Sequence, residues 1–393
     1  MRYNACLISR ALFCALLVFS LLLTGCWDRR ETSRLAIITG VGVDWLETGE
    51  YKLTAQVVVP KSGGSQFDGD SGVAGKDTVL ADSTSPATRD AFQGLGLILS
   101  RFPFVAHTKV LIFGQALARH GIGPVVDVVT RLAEPRETMW VAVSTRSAAE
   151  ALAADAALSR GSAIGLDYLF RQQAVTSQAT ATDLSDLLIS MSSDSGAASA
   201  PLVDAVADAG GKPTLKIAGT AVFLGDKLVG ILDTTQSRGL LLAKGRTGSA
   251  TITAGDAQGV PMAVLSACGT RTTIRPYFNG LKPAVEISIT ANANFDQLLR
   301  PGTLADEALI AELCTDSARY IEETVRAAVS AAQGLRADVF GFADEFHRSF
   351  RKQWRDMQPD WSEQFAHLEV DVHAKVRIRR NGVTMQYPNG SGS

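Results

Sequence analysis

Several common protein classes are excluded by what this sequence lacks. Beyond residue 25 it has no uncharged apolar run of the roughly 20 residues that a spanning helix needs; the longest, Ala218–Leu224, is strand length. Cysteines number five, and only Cys268 and Cys314 lie beyond Cys26, far apart from one another. That count excludes a disulfide-stapled scaffold, and the two read as small buried hydrophobes. Charge is sparse and balanced, at 20 % charged residues and a formal net charge of -2, so no basic field exists to attract nucleic acid. There is no Cys-x-x-Cys, no Walker-A loop and no Gly-x-Ser-x-Gly. Gly94-Leu95-Gly96 falls inside a helical pattern rather than after a strand, unlike a dinucleotide loop. Of the histidines His107, His120, His347, His367 and His373, no two have the i, i+4 spacing of a helical zinc site. His367 and His373 have an even spacing that permits one strand face. The expectation is no catalytic residue, no cofactor and no metal.

What is present begins at the N-terminus. Met1–Arg10 carries Arg2 and Arg10 and no acid, and Ala11–Leu23 is apolar and uncharged. A basic start, a short apolar core and small residues before a cut describe a secretory signal. Leu23-Thr24-Gly25-Cys26 has the pattern of a lipoprotein cleavage site, with a leucine three before the cysteine and a glycine directly before it. Residues 1–25 are therefore expected to be a signal peptide and Cys26 the lipid-attachment residue. Removing Met1–Gly25 takes away two arginines and no acid, which moves the net charge from -2 to -4. Two acyl chains on Cys26 hold a body stably on a membrane where one does so only marginally. About ten residues separate Cys26 from the first strand, which keeps the first domain near the bilayer.

Hydrophobic residues make up 46 %, enough for real cores. Leu35–Asp44 (LAIITGVGVD) and Tyr51–Pro60 read as an antiparallel strand pair. Lys61–Asp77, rich in Gly, Ser and Asp, reads as a surface loop, followed by a short strand at Thr78–Ala81. Ser85 and Pro86 open a helix to about Ser100, with Ala91, Leu95, Ile98 and Leu99 on one face. Val110–Phe113 is a core strand, Gln115–His120 and Ile122–Leu132 are helices, and Thr138–Ser144 is a strand. Ser147 caps a helix through Ala157, and Ile164–Ala174 and Asp183–Met191 are helical. Strand and helix alternate, which argues for α/β layers on a mixed sheet.

Ser192–Ser199 reads as a linker. Beyond it, Leu215–Leu224 and Lys227–Leu232 flank a Gly225-Asp226 turn, and Thr235–Leu242 is a short helix. Strands follow at Ala263–Ile274 and Ala284–Asn294, then the longest helical pattern, Thr303–Ala332, with Gly334 at its end. Phe340–Phe350, Trp354–Trp361 and a final strand Leu368–Arg379 complete the body. The fold class is α+β, in mixed α/β layers, with one long helix in the C-terminal half. The expected domains are 26–195, an N-terminal α/β domain; 196–248, a small central β-rich domain; and 249–393, a C-terminal α/β domain with the long helix at 303–333.

Three stretches carry a resemblance. The first is Cys26-Trp27-Asp28-Arg29-Arg30-Glu31 with LAIITGVGVD after it. The second is His107–Gly114 (HTKVLIFG), followed by Leu117-Ala118 and Gly121-Ile122. The third is Gly219–Phe223 through Lys227–Gly230, with Ser237-Arg238-Gly239-Leu240-Leu241 and Lys244-Gly245. Asp338-Val339-Phe340-Gly341-Phe342 and Trp354 add to it. Together they resemble the Ger(x)C lipoproteins, the C subunits of spore germinant receptors. The resemblance implies several α/β domains and a lipid-anchored, non-catalytic subunit on the outer face of the inner spore membrane. It implies as partners a multi-spanning, transporter-like B subunit and an A subunit with a membrane domain. Lys61–Asp77 and the alanine-rich Ser147–Ala157 depart from the pattern. The alternative from the residues is a solute-binding lipoprotein delivering a small ligand to a permease, a class built from two similar lobes around a cleft.

Overall fold

The computed structural model describes residues 13, 32–59, 77–132, 134–154, 159, 161–255, 260–299 and 307–379. Cys26, the export segment, Lys61–Lys76 and the tail Asn389–Ser393 lie outside the described residues.

Leu35–Trp45 (β1) is β-branched, apolar and buried on both faces, as a central strand must be. It pairs antiparallel with Tyr51–Val58 (β2), which pairs antiparallel with Thr78–Ser85 (β3). The expected strand pair is present, and β3 runs longer than Thr78–Ala81. Helix Thr88–Ile98 (α1) leads into a short strand, Phe102–Phe104 (β4), that pairs with the start of β1. Val110–Phe113 (β5) lies parallel to the rest of β1. Helices Gln115–His120 (α2) and Gly123–Arg131 (α3) connect it to Trp140–Ser144 (β6). Ala148–Ala153 (α4), Ser162–Thr176 (α5) and Leu184–Met191 (α6) follow. The predicted helix through Ala157 ends earlier, with Ala154 already extended.

Alternation along β5 divides the interior in two. Leu111 and Phe113 face a core with α1, α2, α3 and α6. Val110 and Ile112 face a second core with α4 and α5. Gly40 is what lets the latter pair approach. A side chain there would meet Ala163 Cβ at 2.7 Å and Leu152 Cδ2 at 2.9 Å.

Ser192–Ser199 is not a linker. Ala197–Ala207 (β7) begins inside it and pairs parallel with β6. Ala197, Ala198 and Ala200 are buried, so the small residues there are packing residues rather than mobile ones. Pro213–Leu224 (β8) and Lys227–Leu232 (β9) extend the same sheet. The strands expected of a central unit at 196–248 therefore complete a nine-stranded sheet, in the order β3-β2-β1-β5-β6-β7-β8-β9, with β4 beside β1. The physical reason is that β7, buried through its alanines, satisfies its backbone groups by pairing with β6 and β8, and β8 in turn pairs with β9.

Thr234–Ala243 (α7) leaves that sheet for the second one, made of Ser249–Gly255 (β10), Pro261–Asn279 (β11), Lys282–Leu298 (β12) and Glu369–Arg379 (β13) in that order. Helix Glu307–Gly334 (α8) has 28 described residues. It turns Leu313, Ile321, Val325, Ala328 and Ala332 inward, as its period requires. Gly239 sits where α7 crosses α8. A side chain there would strike the Thr324 carbonyl and come within 2.8 Å of Ala328 Cβ. Phe342–Ser349 (α9), Arg351–Met357 (α10) and Trp361–Ala366 (α11) close the core with Phe342, Phe346, Trp354, Trp361 and Phe365. Ala197, Val222 and Leu232 of the first sheet belong to this same core, so the two sheets share an interior. Among the described residues no helix is long and apolar enough to cross a membrane.

Candidate functional site

A concavity of about 930 Å³ lies where the described chain enters the first sheet. Its position follows from pairing. Leu35 of β1 pairs with Phe102 of β4, and Arg34 and Arg101, the residues just before these two, both line the groove. Helix α1 contributes Arg89 and Phe92 to its lining, and Leu132, after α3, and Glu134 line it as well. Three exposed guanidinium groups and one carboxylate line the groove.

The sequence places Ile98 on the inner face of α1, but it is 57 % exposed. It is the last residue of the helix, and Leu99 after it is already extended. Leu97 is 92 % exposed and Phe102 50 %. Ser85 does not cap α1 directly; its Oγ accepts from the Ala87 N–H at 3.3 Å, and Ala87 holds the cap position. The β4 strand and the groove carry no motif, so the sequence alone does not reveal them. The available signal is a run of apolar and basic residues, Leu97–Phe102, at a helix end.

The residues of the three stretches have structural roles. Asp44 accepts from the N–H groups of Ala148 at 2.7 Å and Ala149 at 3.1 Å, holding the start of α4. Burial raises its carboxyl above the usual range although both donors oppose this. Asp338 is buried and accepts from Gly341, Phe342 and Ala343 N–H and from Trp361 Nε1 at 2.8–3.1 Å. Gly341, with φ of +83°, supplies the turn, and burial raises the Asp338 carboxyl. Lys244 Nζ donates to the Val339 carbonyl at 2.9 Å, and burial lowers its amine. Lys244-Gly245 and Asp338–Phe342, far apart in sequence, thus form one interior contact.

The histidines are dispersed. His120 stacks on Trp45 with ring centroids 3.9 Å apart, and His347 Nδ1 lies 2.6 Å from Asp194 Oδ2. His367 follows α11 and His373 lies on β13, so the pair does not share a strand face. Among the described residues no three His, Cys, Asp or Glu side chains gather as metal ligands. Cys314 is a free, half-buried thiol rather than a fully buried one.

Comparison with known proteins places the fold. Residues 28–205 match the family described as spore germination protein N-terminal domain, and residues 218–382 match spore germination B3/GerAC like, C-terminal. YfkR of Bacillus subtilis (strain 168), a protein named for spore germination, is 28 % identical over 93 % of this chain and 95 % of its own length. Spore germination protein KC of the same organism is 24 % identical, over 96 % of this chain and 97 % of its own. The crystal structure of the GerBC protein superposes with a TM-score of 0.51 at 17 % identity, covering 86 % of this chain and 96 % of that one. The GerBC likeness shows the shared fold, and the two family matches run in order through both sheets: the chain belongs to the Ger(x)C family of spore germination proteins.

Proposed function

We propose that this chain is the lipid-anchored subunit of a nutrient germinant receptor, held by Cys26 on the outer face of the inner spore membrane. It works there as a non-catalytic interaction subunit beside the integral A and B subunits. The observation that carries the reading is the placing of the lipobox cysteine just ahead of the folded body of a Ger(x)C protein. Five residues, Trp27–Glu31, separate Cys26 from Thr32, where the described body starts. An extended chain covers at most about 3.6 Å per residue, so the body starts within roughly 20 Å of the acylated residue. Confinement to that surface raises the effective concentration of the body toward integral partners.

The layout supports this reading over a solute carrier. A carrier's two lobes are alike, whereas here a nine-stranded sheet adjoins a four-stranded one that carries the long helix. The test is co-purification from spore membranes. The A and B subunits should elute with the chain, and its recovery alone under mild detergent would overturn the receptor assignment. Saturable binding of one amino acid, sugar or nucleoside by the chain itself would favour the carrier.

A further inference from the structure

We infer that the groove face at the start of the first sheet docks onto the headgroup layer of an anionic bilayer. The inference rests on the tethered reading above and specifies how the body sits once tethered. Its occupant follows from four observations. The first is reach: the described body begins in this face, since Ser33 and Arg34 line the groove itself, and only Trp27–Glu31 stand between Thr32 and Cys26 in sequence. A span of roughly 20 Å or less keeps this end of the sheet within reach of the headgroups once Cys26 is acylated.

The second is charge. Arg34, Arg89 and Arg101 line the groove against the single carboxylate Glu134, in a chain whose overall charge is negative. The cations are therefore concentrated locally rather than drawn from a basic protein, which suits anionic headgroups. The third is apolar exposure next to the groove in the chain, between its lining residues Gly96 and Phe102. Leu97 (92 %), Ile98 (57 %) and Phe102 (50 %) project where α1 ends and β4 begins. Apolar side chains flanked by arginines match the boundary between headgroups and acyl chains, with the guanidinium groups at the phosphates. The fourth is rigidity. Phe102 is held by pairing to β1, and α1 packs on the first core through Ala91 and Leu95, so the face is presented preformed.

The test uses the acylated full-length chain in vesicles, read by backbone hydrogen exchange at residues 96–104. Slower exchange is expected in phosphatidylglycerol vesicles than in phosphatidylcholine vesicles or detergent. Leu97→Ser with Arg101→Gln should abolish the difference while leaving the rest of the exchange map unchanged. A second arm needs no tether. The Cys26→Ala chain should sediment weakly with phosphatidylglycerol vesicles. Removing two arginines, Arg89→Gln with Arg101→Gln, should weaken that association roughly 25-fold, at about fivefold per arginine. If wild type partitions like Cys26→Ala, the anchor fails, and docking is judged on the second arm. Equal exchange in both vesicle types together with no sedimentation overturns docking while the anchor stands. Protection that appears only with the receptor's integral subunits present assigns the face to protein instead, and overturns the lipid assignment.

Discussion

The carboxylate of Asp44, at the end of β1, occupies the space that a side chain on Gly114, just after β5, would need. The stretches LAIITGVGVD and HTKVLIFG, already paired as β1 and β5, thereby also meet through a side chain, and the same carboxylate holds the start of α4. Gly114→Ala should displace Asp44 from the Ala148 and Ala149 N–H groups and cost about 2–4 kcal/mol. Asp44→Ala should cost a similar amount. The double variant should fall short of the sum by about 1–2 kcal/mol, measured by urea unfolding. Full additivity would show that the two positions act independently.

Gly239→Val should force α7 away from the Thr324 carbonyl and Ala328 of α8 and cost about 3 kcal/mol. Thermal unfolding followed by tryptophan fluorescence reads it, since Trp354 and Trp361 lie in that core. An unchanged midpoint would mean that the helices separate at no cost.

Burial raises the Asp338 carboxyl above its ordinary 3.8. A folded-state value above the unfolded one means that the folded chain holds its proton longer. The contribution of this group to stability is therefore greatest below pH 4 and declines as pH rises through the window above 3.8. Asp338→Asn should flatten that decline. It should also cost about 2–4 kcal/mol near neutrality, because its NH₂ would face N–H donors. Lys244 carries the opposite sign: burial lowers its amine, so its contribution rises with pH in the window just below 10.5. Lys244→Met should remove that alkaline rise. Unfolding free energies across pH 4–7 and pH 8–10.5 check both.

Gln56 joins β2 to α4 and α5, donating to the Leu152 carbonyl at 3.1 Å and accepting from Ala163 N–H at 3.0 Å. Gln56→Leu removes the acceptor of the Ala163 N–H and a donor to the Leu152 carbonyl and Ser162 Oγ, which keep their bond to one another, and should cost about 2–3 kcal/mol by chemical denaturation. A smaller loss than that for an exposed glutamine would remove Gln56 from the set of core-defining contacts.

Cys26→Ala should release the chain from the membrane, leave its unfolding midpoint unchanged and reduce germination through its receptor. Membrane fractionation reads the first effect, and normal retention would sink the anchor.

By itself the sequence determined the local elements whose cause is local. A short continuous apolar run wrote β5, Ser147 wrote the N-cap of α4, and a helical period of inward apolar residues wrote α8. The three stretches also carried the family, because their spacing survives in order along the chain. Only the tertiary structure decided that Ala197–Ala207 is an interior strand. Small residues serve a linker and a close-packed sheet equally, and burial alone separates the two. It alone decided that Lys244 meets Val339 and that Asp44 excludes a side chain at Gly114, since contacts across such separations have no local signature. It alone made the groove. Arg34, Arg89 and Arg101 carry no signal in sequence, and they line one groove because β4 pairs with β1 beside the helix that carries Arg89.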